Sequence, residues 1–64
     1  MSNLEDVITI KKMITNNGSL ELFEVNNNYI VEIKHLKRDV KAYIFNDRKN
    51  ASDFLDKQFE IMAI

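Results

Sequence analysis

The chain has 64 residues, 45% hydrophobic and 30% charged, with a formal net charge of −1. That length makes one small domain, residues 1–64, and the composition excludes a disordered or fibrous chain. The longest apolar run, residues 61–64, is far short of the ~20 residues that span a bilayer, so no membrane partner is expected. Cysteine is absent and His35 is the only histidine. Cysteine nucleophiles, thiolate sites and multi-histidine metal sites are therefore excluded, and no catalytic, metal or cofactor-binding residue is expected.

The first segment carries two signals. Ser2-Asn3-Leu4-Glu5 fits a capping box, in which the serine hydroxyl and the glutamate satisfy each other's end of a first helical turn. Leu4, Val7, Ile8, Lys11 and Ile14 recur at helical spacing, and Asn16-Asn17-Gly18 suits a helix stop because these residues tolerate left-handed backbone. The spacing predicts a helix over residues 3–16. The β-branched run Val7-Ile8-Thr9-Ile10 opposes it, and a strand over residues 7–15 is the alternative. The acidic N-terminus has no basic region of the kind that opens a secretory signal. With the absence of cysteine, this makes the cytoplasm the expected location.

Three strands are expected next. In residues 19–25, Leu20 and Leu22 oppose Phe23 and Val25 across the strand. In residues 29–35, Tyr29, Val31 and Ile33 alternate with Ile30, Glu32 and Lys34. In residues 39–46, Val40, Ala42 and Ile44 alternate with Lys41, Tyr43 and Phe45. This period of two marks half-buried strands. The connections Asn26-Asn27-Asn28 and Leu36-Lys37-Arg38 are hairpin length. A helix follows over residues 48–62, capped by Asn46, Asp47 or Asn50. Its packed stripe is Ala51, Phe54, Leu55, Gln58, Phe59 and Met62. The expected fold is α+β, in the order α-β-β-β-α: a three-stranded antiparallel meander packed with a C-terminal amphipathic helix and an N-terminal helix.

Charge is unevenly spread. Residues 34–50 set six cations against Asp39 and Asp47, while the segments on either side are net acidic. Lys34, Lys37, Arg38 and Lys41 with Tyr43 form a candidate nucleic-acid surface, cations for phosphates and a ring for stacking. The same lysines also serve to keep a sheet edge from pairing, and the overall charge is not that of a nucleic-acid binder. Asp53, Asp56 and Glu60 line the outer face of the last helix as a candidate acidic partner surface, or as plain solvated helix. Ile61 and Ile64 fall off its packed stripe and are candidate partner contacts.

The acidic N-terminal helix (Leu4 to Thr15), the three-stranded meander (Leu20 to Phe45) and the amphipathic helix (Ala51 to Met62) together resemble small phage and mobile-element proteins, among them anti-CRISPR proteins. Abundant Asn, Ile and Lys fit that origin. The resemblance rests on layout and composition and implies an inhibitor of a host defence or nucleic-acid-processing factor. The leading expectation is a non-enzymatic protein-binding module acting on a host protein, with a homodimer to extend the small core. The alternatives are a small dimeric nucleic-acid-binding regulator using the 34–41 hairpin, and a structural protein acting by oligomerisation.

Overall fold

The computed structural model describes residues 6–63. They form β1 (Val7–Thr15), β2 (Gly18–Val25), β3 (Asn28–His35), β4 (Lys41–Phe45) and α1 (Arg48–Met62). The strands pair antiparallel in chain order, β1-β2-β3-β4, and α1 lies on one face of the sheet.

The expected three-stranded α-β-β-β-α order is thus corrected to four strands and one helix. Residues 7–15 are a strand, and the cap proposed at residues 2–5 lies outside the described residues. Six of the nine residues of β1 are β-branched, which costs side-chain freedom in a helix and none in a strand. Pairing with β1 also satisfies backbone groups that would otherwise line an open edge of β2. The helical spacing has a specific origin. The register slips between Thr9 and Lys11, leaving Ile10 as an extra residue, a β-bulge. The bulge reverses the phase of the strand. Val7 pairs with Val25 and Ile14 with Ser19, both on the face away from α1, although they are an odd number of residues apart. Ile8, opposite Glu24, and Lys11, opposite Leu22, share the other face. Residues three and seven apart fall together here, as they do on a helix.

The turns follow from local chemistry. Asn26 and Asn27 have φ of 52° and 67°, the pair of left-handed residues that a two-residue hairpin with matching strand twist requires. Asn16-Asn17 turns β1 into β2, where the Thr15 hydroxyl accepts from the Asn17 amide at 3.0 Å. Gly18 follows at φ 151°, and a Cβ there would collide with the Lys34 carbonyl oxygen. The residues read as a helix stop are a strand reversal, since both need the same backbone tolerance.

Asp47 caps α1: its carboxylate accepts from the Asn50 amide at 2.9 Å. At the other end the Asn17 side-chain amide donates to the Met62 carbonyl at 2.7 Å. That bond fastens the β1–β2 turn to the end of the helix and satisfies a carbonyl without a helical partner. The core consists of Leu20 and Leu22 from β2, Val31 from β3, and Ala51, Leu55 and Met62 from α1. Ile10, Met13, Tyr29, Ile33, Phe45, Phe54 and Phe59 pack around it. The stripe read for the last helix is thus the face that meets the sheet.

Leu55 is fully buried against the central strands. Leu55→Ala is expected to cost about 2–5 kcal/mol, a large share of the stability of so small a domain. A chemical denaturation curve, or loss of the folded signal in circular dichroism, reads the effect directly.

Candidate functional site

The register sorts every strand residue onto one of two faces. Leu20, Leu22, Val31 and Ile33 look toward α1. Because direct partners across an antiparallel pair share a face, Lys11, Met13, Tyr29, Lys41, Tyr43 and Phe45 do as well. The opposite face has no helix over it among the described residues. Thr9, Phe23, Ile30 and Ile44 form one continuous row across all four strands of that face. Val7 and Val25 lie beside them, and Ile44 is 69% exposed and Val7 58%. The next row is charged: Lys12 pairs with Glu21, and Glu21 with Glu32. The Thr9 hydroxyl donates to Glu21 at 3.0 Å, and Lys34 lies 3.7 Å from Glu32. The uncovered face thus has an apolar half next to the Asn26-Asn27 turn and a half with charges of both signs.

A second surface lies on the helix side. α1 covers β2 and β3 but leaves the start of β4 open. A groove of about 280 Å³ runs there between β4, the 36–40 loop and the C-terminal half of α1. Its lining includes His35, Arg38, Lys41, Tyr43, Gln58 and Ile61. Tyr43 packs on Phe54 with ring centroids 4.8 Å apart and planes tilted by 55°, and Phe45 meets Phe54 from the other side at 5.3 Å. The 36–40 loop is tied back by the Leu36 amide, which donates to the Asn17 carbonyl at 2.9 Å.

The candidate basic surface is therefore split. Arg38, Lys41 and Tyr43 come together in the groove. Lys34 sits on the opposite face of the sheet, paired with Glu32. Lys37 lies in the turn, where its amide donates to His35 Nδ1 at 3.2 Å. Alternation alone separates Lys34 from Lys41: the paired residue of Lys41 is Ile33, one position from Lys34 and on the other face.

The acidic row on α1 is partly answered. Asp53 lies 3.1 Å from Lys49 and Asp56 lies 3.4 Å from Lys11 of β1. These exposed pairs contribute roughly 0–1 kcal/mol each, but they shrink the free negative surface to Glu60 and whatever the pairs leave unscreened. Asp56 reaches β1, whereas Asp53 and Glu60 stay on the side of the helix opposite its buried residues Ala51, Leu55 and Met62. Ile61 is 58% exposed and lines the groove. Ile64 lies outside the described residues. Among the described residues no three Asp, Glu or His side chains converge as metal ligands would, and no helix is long and apolar enough to cross a membrane.

Sequence reasoning missed the uncovered face as a unit. Phe23, Ile30 and Ile44 alternate correctly in their own strands, but the row they make needs the register of four strands. Compared with known proteins, the chain matches no family model, no curated protein and no solved structure. The layout behind the resemblance to phage proteins included a first helix, and that segment is β1.

If the exposed row is not part of the core, Ile44→Thr should change folding stability by less than about 0.5 kcal/mol. Leu22→Ala, on the buried face of the same sheet, should cost about 2–5 kcal/mol. Paired urea melts of the two variants distinguish the faces.

Proposed function

We propose that the chain is a non-enzymatic protein-binding module that docks the uncovered face of its sheet onto another protein, in a reducing compartment such as the cytoplasm. The observation that carries this reading is the continuous row Thr9, Phe23, Ile30 and Ile44, flanked by Val7 and Val25. An apolar strip that crosses a whole sheet and ends in water is a surface whose burial is favourable, by about 25 cal/mol for each Å² removed from solvent. The neighbouring charges support a protein as the partner. Lys12 and Lys34 against Glu21 and Glu32 give that half no net charge. A nucleic acid or an anionic membrane calls for one sign. A protein surface with an apolar centre and charges of both signs answers this face, be it a host protein that the module modulates or a second copy.

The test is a photoreactive phenylalanine analogue placed at position 44 or at position 53 in the full chain, irradiated in expressing cells. The reading expects a protein adduct of discrete mass from position 44 and none from position 53. Adducts from position 53 alone, or equal labelling from both, would overturn it.

A further inference from the structure

The groove between β4 and α1 has no part in that reading, and its chemistry is different. Among the described residues, Arg38 and Lys41 have no carboxylate within 4.0 Å, as is also true of Lys12, Lys37, Arg48 and Lys57. What sets these two apart is that both line the same concave surface, with Asp39 at its side, so the three formal charges come to +1. That net positive charge favours an anionic ligand. Beside the cations stands Tyr43, whose ring is held in place by Phe54. Ile61 and Met62 provide an apolar wall. His35 Nδ1 already accepts from the Lys37 amide, so the neutral ring carries its proton on Nε2 and has a donor to spare. The C-terminal carbonyls of a helix ordinarily repel an anion. Here the Met62 carbonyl accepts from the Asn17 side-chain amide, which mutes part of that repulsion.

The geometry points to a nucleotide site: a phosphate ester held between Arg38 and Lys41, with its base against Tyr43 and Ile61. Cations beside a fixed aromatic ring are the elements that recognise one unpaired nucleotide, phosphate by charge and base by stacking. The volume of about 280 Å³ falls just below the usual range of ligand pockets, about 300–1,000 Å³, which limits the site to one nucleotide unit. A free mononucleotide and one residue of a single strand share this chemistry.

Isothermal titration at low salt with uridine monophosphate, a uridine octamer, uridine and inorganic phosphate tests the site. Saturable binding of the monophosphate, tighter than phosphate or uridine alone, supports it with a free nucleotide as ligand. Binding of the octamer alone supports it with a strand as the source. Arg38→Ala and Lys41→Ala, both at exposed positions, should each weaken binding by about tenfold, the worth of one charge-assisted contact. Lys34→Ala, adjacent in the chain but on the other face, should leave binding unchanged. No binding of either nucleotide ligand, equal binding of inorganic phosphate, or equal weakening by Lys34→Ala would overturn the proposal. Unchanged circular dichroism of each variant separates these results from loss of fold.

Discussion

Leu55 and Ala51 of α1 sit over Leu20, Leu22 and Val31, and this contact holds the molecule together. All five are fully or almost fully buried, and Met62 extends the contact to the end of the helix. A small residue at position 51 lets the helix approach the strands closely, and Leu55 then fills the space beneath it. A four-stranded sheet cannot hide its backbone and one apolar face without such a cover. Because the cover is one helix of 15 residues, it reaches the two central strands fully and the edge strands only in part. Both candidate surfaces follow from that shortfall. The groove exists because α1 leaves the start of β4 open, and the second face is bare because the described residues hold no second helix.

The two faces of the sheet therefore do different things with similar residues. Val31 and Ile30 are neighbours in β3, yet one lies in the core and the other in a row that meets water. The apolar residues on the bare face are not surplus: Phe23, Ile30 and Ile44 align across strands, which scattered surface hydrophobics do not do. The charged half next to them limits indiscriminate association, because a partner must answer Lys12 and Lys34 as well as Glu21 and Glu32. The edges are guarded as well. β1 carries Lys11, Lys12 and the bulge, and β4 is short and begins with Lys41, features that discourage edge-to-edge pairing. Association through the face is thereby favoured over association through the edge.

Much was legible in the order of residues. The last helix follows from a single stripe preceded by candidate caps at Asn46, Asp47 or Asn50, and the hairpin at Asn26-Asn27 follows from residues that accept positive φ. The alternation in β2, β3 and β4 marks them as strands to within two residues. Those signals are local, so the chain carries them without help from its fold. Composition likewise left a lone histidine and no cysteine.

What only the tertiary structure decided is non-local. Residues 7–15 carry a helical spacing and a β-branched run together, and the choice between them was made by pairing with β2. The bulge at Ile10 then brought residues of helical spacing onto common faces, which is why spacing alone pointed to a helix. Lys34 and Lys41 look like one basic cluster along the chain, but the pleat sends them to opposite faces. Asp56 looks free on its helix, but β1 supplies Lys11. The row from Thr9 to Ile44 joins residues from four strands. A sequence determines which face of its own strand each residue takes, whereas only the register between strands determines which residues share a surface.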